Sequence, residues 1–440
     1  MFDIKFIREN PDVVKDAVAK KAMKVDIDRI LELDKKRRNT LEIVEHLRAE
    51  QNKASYAIRA AKVESEKKEL IQEMREVKEN LQDSQAILER VEEELDALLK
   101  QVPNIPFDDV PVGPDASANV VLREVGDKPF GKTPSLRKAT AGKQGKPDFE
   151  PRDYMTIAEM HDWIDMKRAS KVSGTRFGYI KGDLALVEFA IIRYAMDFLT
   201  KEGFIPVLPP VLLKTEYMDA MGFLHGEAAD DAYYLEKDDL YLVGTSEQSI
   251  GPMHAGEIFK EEDLPRRYVG FSTCFRREAG SYGRDTKGIL RVHQFDKIEM
   301  VVFAHADQSR QEHKFLLSLN EKMMQELELP YRVVHIATGD MGLAKAEQFD
   351  IETWIPSENT YRETHSASNI TDFQARRLNI KYKSSASSHK PSAEFVHMLN
   401  DTVFAIGRTL IAIIENYQTK DGGVEVPKAL RGYMGKKKIP

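Results

Sequence analysis

Arg276, Arg277 and Glu278 stand in succession at the end of an alternating, strand-like run. They open a glycine-bearing segment (Gly280, Gly283, Gly288) that leads to a second such run, Phe295 to Val302. An arginine presents a rigid fork of donors suited to phosphate, and a nearby carboxylate accepts from an amino group. The cluster therefore suits a ligand carrying both groups, although the same residues also read as solvated surface ion pairs, which contribute little. Farther on, Glu363 and Ser366 offer a carboxylate and a hydroxyl three positions apart. Both are hard oxygen ligands, as Mg²⁺ requires beside substrate phosphates; an ordinary polar surface has the same composition. Thr245-Ser246-Glu247 has residue types that also serve as helix caps.

These residues need elements to position them. Strand, flexible basic loop and strand read as a hairpin whose loop can fold over a ligand. Around it the chain is mixed α/β from Tyr154 onward. Asp183 to Lys201 is an apolar-periodic helix, and Gly203 to Leu213 is a strand made an edge or bent strand by Pro209 and Pro210. A strand near Phe395 to Asn400 leads into a helix from about Ala405 to Tyr417.

The first hundred residues are different. After a short helical base, in which Asn10 before Pro11 suits a helix cap, two heptad series follow. One runs Ile30, Leu33, Arg37, Thr40, Val44, Leu47, Gln51, Ala54, Ile58, Ala61; the other Leu70, Met74, Val77, Leu81, Ser84, Leu88, Val91, Leu95, Leu98. The break near Glu64 to Lys67 leaves room only for a hairpin, so two helices of roughly 50 Å zip together antiparallel at about 1.5 Å per residue. The first carries Lys35, Lys36, Arg37, Arg38, Arg48, Lys53, Arg59 and Lys62, and the second is acidic. Taken bare, such a charged rod reads as a spacer. Pro103, Pro106, Pro111 and Pro114 then end the helix. The expected organisation is a helical domain over 1–103, a linker over 104–119 and a larger domain over 120–440.

Composition bounds the rest. The 440 residues are 42% hydrophobic with a net charge of -7, so the chain as a whole is no basic nucleic-acid binder and any RNA contact must be local. The single cysteine, Cys274, excludes an internal disulfide and a cysteine-based zinc cluster, and reads as a buried inert thiol. No apolar run approaches the roughly 18 residues of a membrane span, and the charged N-terminus has no leader pattern, which argues for the cytoplasm.

FRREAGSYGRDTKGILRVHQFDKIEM closely resembles the second signature motif of class II aminoacyl-tRNA synthetases, most of all in the form found in the seryl-tRNA synthetase family. The match spans more than twenty consecutive positions. The Asp183–Leu213 region resembles the first motif, which builds a dimer interface. FVHMLNDTVFAIGRTLIAIIENYQTKDGGVEVP resembles the third. The resemblance covers residues 1 to about 435, with the motifs in family order.

It implies an α+β fold: an antiparallel sheet flanked by helices, preceded by the coiled-coil arm, which in this family grips tRNA. Lys35, Lys36, Arg38, Arg48, Lys53 and Arg59 become the expected tRNA contacts. Arg276 is expected to bridge the ATP α-phosphate and the serine carboxylate, and Glu278 to accept from the adenine amino group. Phe295 would face the adenine ring, with Arg277 and Val292 also at the nucleotide. Glu363 and Ser366 would hold Mg²⁺ with ATP, Thr364 and His365 lie within that ATP-binding stretch, and Arg408 would meet the γ-phosphate. Thr245, Ser246, Glu247, Arg276, Glu299 and Thr402 would contact L-serine. Four positions depart from the family pattern: Gly244 replaces a proline, leaving its loop less constrained; Thr364 and His365 are departures beside the retained Glu363 and Ser366; Thr402 replaces a serine but keeps the hydroxyl.

The implied activity is that of a serine–tRNA ligase acting as a homodimer. Serine and ATP give seryl-adenylate and pyrophosphate, and the seryl group then passes to the 3′ end of tRNA(Ser). No residue need be a covalent nucleophile, because positioning and charge neutralisation suffice. Hydrogen bonds to the serine hydroxyl would reject alanine, while threonine must be excluded by size. A paralogue serving a non-tRNA acceptor would have no use for the arm, and a coiled-coil scaffold would leave Arg276, Glu278, Glu299 and Arg408 idle.

Overall fold

The computed structural model describes residues 2–130, 148–279, 287–383 and 393–440. Gly280 and Gly283 lie outside the described residues. Contacts divide the chain into two compact units, Met1–Pro103 and Asn104–Pro440.

The first unit is helical throughout. Ile4–Glu9 and Pro11–Lys20 form a base, and Ile27–Ala60 and Glu64–Leu99 form the arm. Asp26 caps the first long helix by accepting from the Arg29 N–H. The turn is shorter than the expected Glu64–Lys67 break: Glu64 is already helical, and it and Glu66 sit in the first turn, where the helix dipole favours carboxylates. Asn10 occupies the cap position, but its amide donates to the Phe6 carbonyl instead of capping.

Every seam position named from the heptads is buried or half-buried. Burial is deepest toward the base, where Ile30 and Leu33 meet Val91, Leu95, Ile7 and Val14 in one core. Arg29 bridges the two helices to Glu94 at 2.8 Å. Toward the tip the seam is only half-covered, since no third helix is there to close it.

The second unit is built on an eight-stranded sheet. Its spatial order is Val120–Val125, Tyr331–His335, Glu347–Ile355, Thr360–Thr371, His397–Ala405, Gln294–Ala304, Arg266–Phe275, Ile205–Val207. All neighbours run antiparallel except the last pair. Along Gln294–Ala304, alternate side chains take opposite faces. Ile298, Met300 and Val302 join the main core with residues of the helices Gly182–Lys201, Ser309–Glu326 and Ile406–Asn416. Val301 and Phe303 go to a smaller core on the other face, which Phe295, Lys297 and Glu299 share by the same alternation.

The Gly203–Leu213 stretch is not one strand. Ile205–Val207 edges the main sheet and Leu212–Lys214 belongs to a separate three-stranded sheet, because Pro209 and Pro210 interrupt the ladder between them. Likewise Phe395 ends a short strand of another small sheet, and the main-sheet strand begins at His397 and runs on to Ala405. Residues 104–119 are docked and not free: the Asn104 amide donates to the Ala344 and Ile370 carbonyls at 2.8 Å.

Candidate nucleotide and amino-acid site

The hairpin pairs Phe295 with Cys274, Lys297 with Ser272 and Glu299 with Gly270. Cys274 is fully buried, and burial raises its thiol pKa, consistent with an inert role. On the other side, a register shift between Ile298 and Glu299 sets Glu299 opposite Thr402. Residues about a hundred positions apart thus become neighbours, with the Thr402 hydroxyl 3.4 Å from Glu299 Oε2.

Arg276 follows directly on the first strand. Its backbone N–H donates to His293 and its guanidinium to the Gly244 carbonyl at 3.2 Å, 5.5 Å from the centre of the Phe295 ring. A side chain at 244 would press on this arrangement, since a Cβ there would lie 3.3 Å from Arg276 Nε and 3.4 Å from the Phe275 carbonyl. Glycine lets the arginine approach. Nor is the loop loosened by it: the Gly244 N–H donates to Gln248 Oε1 at 2.8 Å, and the Phe275 N–H to the Val243 carbonyl at 2.8 Å. Thr245, Ser246 and Glu247 are all buried. Burial, and next the nearby Glu299 charge, raise the Glu247 pKa, against a hydrogen bond from Gln374.

Glu278 has a left-handed backbone (φ +54°), and its Oε2 lies 3.2 Å from the Arg291 guanidinium. Arg176 reaches the Glu278 carbonyl at 3.3 Å. Neither Arg176 nor Arg291 was singled out from sequence. Arg277 turns aside: it donates to the Ala232 carbonyl and stacks over Tyr233 at 4.6 Å. Val292 is buried. The far end of the loop is pinned where Gly288 (φ +67°) meets Tyr154; a Cβ there would fall 2.0 Å from the phenol oxygen, so no other residue fits.

In a regular strand Glu363 and Ser366 would point to opposite faces. A bulge intervenes: Glu352 pairs with Glu363 while Ile351 pairs with His365, leaving Thr364 as the extra residue. The bulge resets the alternation, so Glu363, Ser366 and Asp350 share a face. Gln348 donates to both Asp350 and Ser366, at 2.7 and 3.0 Å. Arg408, third residue of its helix, donates to the Glu363 carbonyl at 2.9 Å and lies 3.3 Å from its carboxylate. Desolvation works against the Glu363 charge, but Arg408, Lys345 and Arg276 outweigh it and hold its pKa low. Asp350 is pushed up by burial and by Glu363.

Thr364 and His365 are turned inward. The Thr364 hydroxyl bonds Thr353 at 2.7 Å, and His365 packs against Phe404 of the main core, where burial lowers its pKa to about 3. Their side chains are not brought to the shared face.

Glu363, Ser366 and Asp350 fit a magnesium ion on chemistry: all are hard oxygens, and Glu363 and Asp350 repel one another in a way that a cation relieves. Among the described residues no group of three or more His, Cys, Asp or Glu is arranged to hold a metal by itself; substrate phosphates would have to complete the shell.

On the arm, Lys35, Lys36, Arg48, Lys53 and Arg59 are exposed. Arg38 is exposed too, but its Nε is engaged 3.1 Å from the buried Asp34, which also meets Arg8 at 2.9 Å. Arg48 and Asn52 share a shallow groove with Lys78, Gln82 and Gln85 of the acidic helix. Net charge along the acidic helix hides which face a single lysine such as Lys78 takes. Among the described residues, no helix is long and apolar enough to cross a membrane.

Residues 1–106 match the seryl-tRNA synthetase N-terminal domain, and 233–417 the tRNA synthetase class II core domain (G, H, P, S and T). The chain is 44% identical over 438 residues to a serine–tRNA ligase of Thermobifida fusca, covering 99% of this chain and 98% of that one. Against the Thermococcus onnurineus serine–tRNA ligase it is 42% identical over 447 residues, covering 100% and 97%. A crystal structure of seryl-tRNA synthetase from Pyrococcus horikoshii complexed with ATP superposes with a TM-score of 0.86 at 37% identity, covering 100% of this chain and 99% of that one. A cytoplasmic serine–tRNA ligase from Naegleria fowleri in complex with AMP gives 0.81 at 33%, covering 100% and 98%.

Proposed function

Because this chain belongs to the seryl-tRNA synthetase family, and is an ATP-dependent class II ligase that charges tRNA with serine, we propose how its own residues carry the two half-reactions. The hairpin face binds serine and ATP side by side. Glu299 and Thr402 meet the serine hydroxyl, and the Thr245–Glu247 loop meets its amino group. Arg276 spans the serine carboxylate and the α-phosphate, its fork suited to both. Phe295 stacks under the adenine, Glu278 accepts from its amino group, and Arg408 steadies the terminal phosphate. Glu363 and Ser366, with Asp350 beside them, hold Mg²⁺, which when bound screens phosphate charge.

A serine carboxylate oxygen bonds to the α-phosphorus as the bond to the bridging oxygen breaks and pyrophosphate leaves. The terminal ribose hydroxyl of tRNA then takes the acyl group and AMP departs. The protein contributes orientation and fixed charge throughout. One observation supports this reading: the Arg276 guanidinium donates to the Gly244 carbonyl beside the Thr245–Glu247 loop, and its charge also acts on Glu363, the partner of Arg408. ATP–pyrophosphate exchange across the standard amino acids tests it. Serine alone is expected to support exchange, and EDTA to stop it until Mg²⁺ is restored. Faster exchange with another amino acid, or exchange indifferent to chelation, would overturn the substrate or the metal assignment respectively.

The second copy of a homodimer docks on the Gly182–Lys201 helix and the adjoining edge strand. Phe189 is 67% and Leu208 81% exposed there, beside Leu186 and Ile205. Adjacent large apolar groups left in water mark an interaction surface. Phe189→Asp is expected to convert a dimer into a monomer in light scattering; a parent protein already monomeric at micromolar concentration would refute the interface.

A further inference from the structure

Lys297 stands between Phe295 and Glu299 on the same strand face, yet it is only 7% exposed. A buried ammonium is costly unless paired, and here it has two partners. Its Nζ forms an ion pair with Glu299 Oε2 and donates to Thr402 Oγ1 at 3.2 Å. The Thr402 hydroxyl in turn donates to the same Glu299 oxygen at 3.4 Å. All three side chains are enclosed, Glu299 at 1% and Thr402 at 8% exposure.

A hydroxyl has one hydrogen and two lone pairs, whereas an ammonium can only donate. In Thr402 the hydrogen goes to Glu299 and one lone pair to Lys297. What remains toward the pocket is a single lone pair, which can only accept. The carboxylate of Glu299 can likewise only accept. The geometry points to Lys297 as a specificity-determining positioning residue: it holds Thr402 and Glu299 as acceptors, so the pocket demands a hydrogen-bond donor from the incoming side chain. A hydroxyl satisfies that demand and a methyl does not. The inference rests on the assignment of Glu299 and Thr402 to the serine side chain under Proposed function.

The surrounding charges agree. Glu247 is pushed up by burial and by Glu299 and drawn back by Gln374 and Lys297, so the same ammonium tempers the crowding of two carboxylates around the amino-acid site. A merely structural lysine would do this much without orienting Thr402, and the two roles separate kinetically.

The test compares Lys297→Met, Lys297→Gln, Thr402→Val and the Lys297→Met/Thr402→Val double variant in pyrophosphate exchange with serine and with alanine. Loss of a hydrogen bond to a charged group should raise the serine KM about tenfold or more in Lys297→Met. The preference for serine over alanine in kcat/KM should fall by a similar factor, while the ATP KM stays within about twofold. Since both substitutions break one contact, the double variant should be no worse than the poorer single variant, within about threefold. Lys297→Gln keeps an N–H for Thr402 and should retain more selectivity than Lys297→Met. It also serves if the methionine variant fails to fold. Serine and ATP KM values rising together, unchanged selectivity, multiplicative effects in the double variant, or glutamine as damaging as methionine would each overturn the inference. A parent enzyme preferring another amino acid would instead sink the pocket assignment itself.

Discussion

Arg276→Ala is expected to reduce serine-dependent pyrophosphate exchange by about a thousandfold or more, in the range seen when a group stabilising transition-state charge is removed. Its guanidinium joins the amino-acid loop, through the Gly244 carbonyl, to the face bearing Phe295, and its charge is felt at Glu363 on the metal side. Among the described residues, the two nearest arginines in these motifs are engaged elsewhere: Arg277 with Ala232 and Tyr233, and Arg408 with Glu363. Arg276→Lys should fare little better, because an ammonium cannot present two parallel donors to carboxylate and phosphate. Folding should be nearly untouched, since the side chain is only half-buried and lies outside the apolar cores. A melting temperature near the parent's, with exchange within about tenfold of it, would refute the role.

The second large effect belongs to the other unit. Replacing residues 49–81 by a short loop joining Arg48 to Gln82 should lower kcat/KM for tRNA charging by about a hundredfold or more, with exchange unchanged. The magnitude follows from losing several phosphate contacts, each of which adds to the salt dependence of binding. The cut leaves Ile30, Leu33, Val91, Leu95 and the base helices in place, so the core of the first unit survives. Removed with the tip are Lys53 and Arg59 of the basic helix and Lys78, the groove lysine of the acidic one. Charging by the parent should weaken steeply with added salt, and the shortened form should show a shallower slope. Equal loss of exchange and charging would mean that the arm acts on folding and not on RNA.

Much of the candidate site could be proposed from the sequence because its residues fall in continuous motifs. Arg276, Glu278, Phe295 and Glu299 all lie within one hairpin. Some of what was missed was also within reach: Lys297 shares the period-two face of Phe295 and Glu299, and that alternation alone would have placed it there. Asp350 had no such signal. It matters only because it lies across the ladder from Ser366, and a lone aspartate in an apolar strand does not announce its partner. The Arg277 and His365 side chains turn toward Tyr233 and Phe404, because adjacency in a motif says nothing about which way a side chain turns.

By itself the sequence determined what depends on near neighbours along the chain. The heptads settled the seam of the arm, alternation settled the two strands of the hairpin, and the prolines at 209 and 210 marked a departure from a regular central strand. Only the tertiary structure decided which distant residues meet. The bulge at Thr364 turned Glu363 and Ser366 to one side, the register shift after Ile298 set Thr402 against Glu299, and the packing of the Ile406–Asn416 helix tied Arg408 to Glu363. The reason is that one residue of slip in a sheet reverses every side chain beyond it. Register is set by pairing between strands and by the core they enclose, not by any local stretch of the chain.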